Sequence, residues 1–280
     1  MKDFRNKVAA ITGAASGMGR TLALELARRG CHLSLSDVND KGLAETATLA
    51  GQFGVRITTA KVNVADRDAV WAWAEQTARD HGKVNLVFNN AGVALGAFCE
   101  SVSLKDFEWI MGINFWGVVH GTQAFLPHLK QAGEGHIVNT SSLFGLLATP
   151  TQGTYNASKF AVRGFTEALR QELDMARCGV SATCVHPGGI RTNIARDAKM
   201  DASIDKATGG KADVARAKFD KLLNTTSAES AALQILRAVE RNDRRVLVGM
   251  DARFLDKLVR LLGSAYQPLT TFFAKKSMLG

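Results

Sequence analysis

Tyr155 and Lys159 stand four residues apart in Tyr155-Asn156-Ala157-Ser158-Lys159. On a helix that spacing puts both side chains on one face, one turn apart. An ammonium beside a phenol favours the phenolate, so such a tyrosine exchanges its proton below its usual pKa of ~10. This is the chemistry of a general acid or base. Upstream, Ser142 closes Ile137-Val138-Asn139-Thr140-Ser141-Ser142, which reads as a strand end opening into a loop. A Tyr-x-x-x-Lys pair by itself is most often a solvated helix face, so its meaning depends on the elements around it.

Those elements alternate. Val8–Ile11 is a short apolar run, and residues 17–29 carry helical periodicity through Leu22, Leu24 and Leu26 until Gly30. Further strands are expected at His32–Ser36, Val55–Val64, Val84–Phe88, His136–Thr140, Val180–Val185 and Arg245–Val248. Helices are expected from Asp66 or Asp68 to His81, from a Ser103/Asp106 cap to about Gln131, and from before Tyr155 to about Cys178. Thr226 with Glu229 has capping-box spacing for one more. Strand and helix in alternation predict an α/β, Rossmann-like, doubly wound domain: a seven-stranded parallel sheet with helices on both faces. No Pro/Ser-rich linker or repeat divides the 280 residues, so a single domain is expected.

Between the first strand and first helix lies Thr12-Gly13-Ala14-Ala15-Ser16-Gly17-Met18-Gly19. Glycines there let the backbone turn sharply and approach a pyrophosphate resting on the helix N-terminus. Asp37 follows at the end of the second strand, where a carboxylate accepts bonds from an adenosine ribose and repels a 2′-phosphate. The expected cofactor is therefore NAD, with NADP left open through arginines such as Arg20.

With Asn89-Asn90-Ala91-Gly92 after the fourth strand, Asn114, Ser142, Tyr155, Lys159 and Pro187-Gly188-Gly189-Ile190-Arg191-Thr192, the chain resembles the short-chain dehydrogenase/reductase family. The likeness runs from residue 7 to about 192. It implies hydride transfer between a nicotinamide and a carbinol or carbonyl carbon, with no metal. Tyr155 would be the general acid or base, Lys159 would tune it and hold the nicotinamide ribose, and Ser142 would bond the substrate oxygen. Asn114 would position a water leading from Lys159 to solvent. Gly13, Ser16, Gly17, Met18 and Gly19 would cradle the pyrophosphate, and Asn63 and Val64 would meet the adenine. Asn90, Ala91 and Gly92 would line the cleft. Pro187, Gly188, Ile190 and Thr192 would flank the nicotinamide. Asn63 departs from the family's usual aspartate but keeps an acceptor oxygen.

Substrate identity is less legible. The candidate wall residues Val93, Ala94, Leu95, Leu143, Phe144, Gln152 and Gly189 carry no charge, which points to a hydrophobic secondary alcohol or ketone, bulky ones included. Residues 193–225 are expected to form a lid. Residues 251–280 form an amphipathic tail, with Phe254, Leu255, Leu258, Leu261 and Leu262 among Lys257 and Arg260, expected to pack on the body or on a sister subunit in preference to a membrane. Two other readings remain: a non-catalytic nicotinamide-binding redox sensor, and a membrane-surface reductase of lipid-like carbonyls. The net charge of +9 comes from scattered basic residues without a recognition motif, which argues against nucleic acid. No run of about 18 apolar residues is present. The four cysteines lack disulfide or zinc spacing, and a cytoplasmic enzyme is expected. The resemblance also implies a homotetramer or homodimer through the long central helices.

Overall fold

A computed structural model describes residues 1–194, 196–207 and 225–279. Seven parallel strands form one sheet: β1 (Val8–Thr12), β2 (His32–Asp37), β3 (Ile57–Lys61), β4 (Leu86–Asn89), β6 (Gly135–Thr140), β7 (Val180–Pro187) and β9 (Arg245–Val248), in the order β3-β2-β1-β4-β6-β7-β9. Two-residue strands β5 (Leu95–Gly96) and β8 (Lys199–Met200) pair separately, also in parallel.

Alternation along the strands divides the apolar residues between two layers. On β1, Ala9 and Ile11 face one cluster, which includes Leu22 and Leu26 of α1 (Gly17–Arg28) and Ile235 and Val239 of helix Ala228–Arg241. Ala10 faces the other, with Trp73 of α3 (Arg67–His81), Phe125 of α5 (Gly117–Gln131) and Leu169 of α6 (Gly153–Ala176). Both faces are covered, so the strands read as continuous apolar runs. Strand order reverses between β1 and β4, and a crevice opens there at the carboxyl ends.

Several boundaries differ from the sequence expectation for identifiable reasons. β3 is shorter than Val55–Val64 because its partner β2 ends at Asp37, paired with Lys61. Asp66, not Asp68, caps α3 by accepting from Ala69 N–H (3.1 Å). The expected Thr226/Glu229 box does not form: Ser227 is the cap, accepting from Ser230 N–H, while Thr226 bridges to Ile190. The long helix expected to reach Gln131 is instead α4 (Leu104–Met111) and α5, joined by a π-helical turn, Gly112–Trp116. The tail is two helices, Met250–Leu262 and Tyr266–Leu279, joined by a short 3₁₀ turn. Helix α2 (Asp40–Gly51), capped by Asn39, is not evident in the sequence because its periodicity is weak. Of the expected lid, residues 195 and 208–224 lie outside the described residues; Ala202–Ala207 is a short helix.

A buried amide relay fixes α6 against the sheet. Asn89 Nδ2 donates to Asn139 Oδ1 (2.8 Å), Asn139 Nδ2 donates to Thr166 Oγ1 (3.1 Å), and Thr166 Oγ1 donates to Val162 O (2.7 Å). The first link joins β4 to β6 and the second joins β6 to α6, so the relay sets the height of α6 over the two strands. Asn139→Ala removes two buried hydrogen bonds, leaving Asn89 Nδ2 its longer bonds to Thr122 and Val118 and Thr166 its bond to Val162 O, and should lower unfolding stability by about 1–3 kcal/mol in urea titration.

Candidate active site

Ser142, Tyr155 and Lys159 converge where β6 ends and α6 begins. Ser142 leaves β6 in extended conformation and caps a 3₁₀ turn, its Oγ accepting from Phe144 N–H (3.1 Å). Its carbonyl accepts from Nδ1–H of His186 on β7 (2.9 Å), which defines the imidazole tautomer. Burial holds that imidazole neutral, with its pKa pushed down to about 4. The Ser142 hydroxyl bonds the Tyr155 phenol. Phe144 meets the Tyr155 ring edge-on, centroids 6.0 Å apart.

Lys159 lies one turn beyond Tyr155 and is buried. Its ammonium donates to Thr140 O (3.0 Å) and sits 5.7 Å from the tyrosine ring centroid. Burial pushes its pKa down to about 8 from 10.5. Burial also raises Tyr155, and the bond from Ser142 offsets this only in part. The lowered tyrosine expected from the spacing is therefore not what the pocket gives. The ammonium spends its hydrogen bond on a carbonyl, and desolvation acts on both groups. Each charged form is disfavoured alone, so ionisation of one is eased by the other's charge.

Asn114 lies on the π-helical turn and is fully buried. Its Oδ1 accepts from Val93 N–H (2.8 Å), and its Nδ2 donates to Val93 O (3.0 Å) and Ser158 Oγ (3.1 Å). The amide thus fastens the strand-four loop to α6. A Cβ on Gly92 would come within 3.4 Å of Lys159 Nζ and 3.3 Å of Asn114 Oδ1, so that loop passes close to both groups.

Two adjoining cavities open here. The smaller, about 100 Å³, is lined by Ser142, Leu143, Phe144, Gln152, Tyr155, Lys159, Pro187, Gly188, Ile190, Thr192 and Ile194 among others. The larger, about 300 Å³, runs along Gly13, Ser16, Gly17, Met18, Asp37, Asn63, Val64, Asn90, Ala91, Gly92 and Thr192. Gly19 supports the turn beneath it: a Cβ there would fall 2.1 Å from Gly13 O. Asp37 is aimed by backbone donors, accepting from Ala15 N–H (2.9 Å) and Asn39 N–H (3.0 Å). Asn63 Oδ1 accepts from Ala65 N–H (3.1 Å).

A family model described as short chain dehydrogenase matches residues 7–203. The chain belongs to the short-chain dehydrogenase family. It is an oxidoreductase of that type. It is 49% identical over 269 residues to SadH of Mycobacterium tuberculosis, an oxidoreductase by name, covering 96% of this chain and 95% of SadH. A short-chain dehydrogenase/reductase of Burkholderia phymatum, solved in complex with NAD, superposes with a TM-score of 0.86 at 32% identity, covering 95% of this chain and 97% of that one. Levodione reductase follows with a TM-score of 0.77 at 26% identity, covering 90% of this chain and 98% of that one.

Not every sequence candidate in this short-chain dehydrogenase reaches a cavity. Leu95 is wholly buried in the apolar cluster behind Phe144 and Tyr155. Val93 lines the larger cavity instead of the smaller. Gly189 turns its N–H onto Asp251 Oδ2 (2.6 Å). That carboxylate, at the start of helix Met250–Leu262, is a contact the sequence did not reveal. A Cβ on Gly188 would lie 2.3 Å from both of its oxygens, so the loop is seated directly on it. Ile194, His186 and Asp251 were all missed. Ile194 lay inside the expected lid, and the other two have no local motif.

Lys159 carries a pH consequence. Its folded pKa lies below the unfolded one, so folding disfavours the ammonium. The penalty is full below about pH 8 and fades as pH approaches 10.5. Raising the pH from about 7 to about 10 should therefore stabilise the parent relative to Lys159→Met by about 3 kcal/mol. Urea unfolding at both values measures this, and a flat difference would show that the lysine is well solvated.

Proposed function

We propose that this chain is an NAD-dependent dehydrogenase/reductase of hydrophobic secondary alcohols and ketones, with Tyr155 as its proton-transferring residue. The observation that carries this is the buried Ser142–Tyr155–Lys159 group at the junction of an apolar cavity with a dinucleotide-sized cleft. The cleft fits a dinucleotide. It offers a glycine turn on which a side chain would clash, and the buried Asn90 Oδ1 beside it has no partner among the described residues. When bound, the nicotinamide supplies or accepts the hydride. The chain's own groups do the rest.

Ser142 and Tyr155 hydroxyls, bonded to one another, form a pair that a substrate oxygen can join. Tyr155 gives its proton to that oxygen in reduction and takes it in oxidation, and Ser142 stabilises the charge that develops. Lys159, poised near neutrality, offsets phenolate charge in a pocket that excludes water. Pro187, Gly188, Ile190 and Thr192 line the smaller cavity together with Gly92 and Asn90, and Asp251 holds their loop in place.

Lys159 is the one charged residue lining the smaller cavity among the described residues, which supports an apolar substrate over an acid or phosphate ester. The name of levodione reductase, a structural neighbour, agrees with a ketone. The larger cavity supports NAD: its described lining includes Asp37 and Asp197 and no lysine or arginine. Arg20, the arginine that could have favoured NADP, is held by Ala15 O, Gly42 O, Thr46 and Glu45.

Reduced-nicotinamide absorbance, followed with a panel of secondary alcohols and either cofactor, tests this reading. Turnover with NAD is expected, falling about 10²–10⁴-fold in Tyr155→Phe. Tight NAD binding with no turnover across the panel would favour the redox-sensor reading. Asp37→Ala should lower the NAD-over-NADP ratio of kcat/KM by about tenfold, the weight of one carboxylate–phosphate repulsion. An unchanged ratio would remove Asp37 as the selector.

A further inference from the structure

The tail helices present two unlike faces. On helix Met250–Leu262 the inner side carries Ala252 and Asp256, both buried, with Leu255 and Val259 packed on the cluster that holds Phe144 and Tyr155. Asp256 is engaged by Arg245 and Arg260. Tyr266, opening the second helix, packs on the same cluster and accepts from Ala148 N–H through its hydroxyl (3.0 Å). The helix is therefore the outer wall of the apolar layer behind the catalytic tyrosine.

Its outer side is apolar as well. Met250, Phe254, Lys257 and Leu261 recur at steps of four, three and four, which places them on one stripe. Phe254 is 65% exposed and Leu261 83%. Phe272 and Phe273 on the second helix extend the apolar surface. Large apolar side chains gathered in this way on a water-facing surface mark an interaction site.

Charge identifies what covers it. Arg253, Lys257, Arg260 and Lys275 are exposed along these helices. Between residues 250 and 275 the acids are Asp251 and Asp256, the first bonded to Gly189 and the second buried. The exposed surface of this stretch therefore pairs apolar groups with cations and offers no carboxylate. A second copy meeting it across a two-fold axis would set cations against cations, in a chain of net charge +9. A second copy also has other apolar ground, the exposed Trp116 and Phe160 near the central helices. An anionic bilayer complements both properties: apolar side chains enter the acyl boundary and basic ones meet headgroup phosphates.

We infer that helices Met250–Leu262 and Tyr266–Leu279 dock this enzyme on the surface of an anionic lipid bilayer through the Met250–Phe254–Leu261 stripe and its flanking cations. No helix among the described residues is long and apolar enough to cross a membrane, so the association is peripheral. Because the opposite face of the same helix walls the apolar cavity's cluster, docking sets the site beside the bilayer. Its substrate class is then a lipid-soluble alcohol or ketone; that part rests on the reductase reading, and docking itself does not.

The test is sedimentation of the full chain with vesicles of phosphatidylcholine alone or mixed with phosphatidylglycerol. Binding is expected to the mixed vesicles, weakly or not at all to phosphatidylcholine, and to be reversed by salt. Lys257→Glu should weaken it at least about fivefold. Phe254→Ser combined with Leu261→Ser should weaken it further, with helical circular dichroism unchanged in both variants. Equal binding to the two vesicle types, or none to either, overturns the inference. So does a parent that light scattering shows as an assembly dissociated by Leu261→Glu without vesicle binding, since a second copy then covers the stripe. Vesicle binding by a protein that turns over no alcohol upholds docking and removes the dehydrogenase reading.

Discussion

An ammonium taken out of water is the constraint around which the rest of this molecule is arranged. Lys159 is buried beneath a loop, and its charge is tolerated because Thr140 O receives it and Tyr155 lies alongside. Holding it there requires a strand end that turns a carbonyl inward and a helix at a fixed height. The loop above must also bring Gly92 close to both Lys159 and Asn114. The amide relay through Asn89, Asn139 and Thr166 supplies the height, and Asn114 on its π-helical turn supplies the loop. π-Helical turns inside longer helices often mark functional positions. Here the irregular turn carries an amide that satisfies a backbone N–H, a backbone carbonyl and a hydroxyl at once.

The parallel topology explains why these groups meet. Reversal of strand order between β1 and β4 leaves a crevice at their carboxyl ends, and every loop with a site residue leaves the sheet on that side. The glycine turn follows β1, Asp37 ends β2, Asn90 to Gly92 follow β4, Ser142 follows β6, and the Pro187 to Thr192 segment closes β7. Positions far apart in the chain thus share one edge without long excursions. Strand register, fixed by burial on both faces, carries over directly into the geometry of the site.

Much of this was readable from residue order because its causes are local. The turn at Gly13 to Gly19, the Ser103 cap and the one-turn spacing of Tyr155 and Lys159 each depend on a few neighbouring residues. Where the causes are tertiary, the reading failed. Thr226 has a capping residue's chemistry, yet Ile190 engages its backbone and Ser227 takes the role. Leu95 has the chemistry of a pocket wall, but pairing with Lys199 at β8 leaves it in the core. The raised Tyr155 follows from how completely its surroundings exclude water, which spacing does not encode.

The Asp251 carboxylate gives the tail a status that its sequence position conceals. It belongs to the first turn of helix Met250–Leu262, yet it anchors the Gly188–Gly189 loop beside the smaller cavity, 62 residues earlier in the chain. Part of the site is therefore held by an element that follows all seven strands of the sheet in the chain. A nascent chain can complete the sheet through β7 with Tyr155, Lys159 and Ser142 already in place and still lack the support under Gly188 and Gly189. Support for that loop then arrives only once helix Met250–Leu262 has packed back onto it. A change in that helix therefore reaches the Gly188–Gly189 loop inside as well as whatever the outer surface of the tail meets.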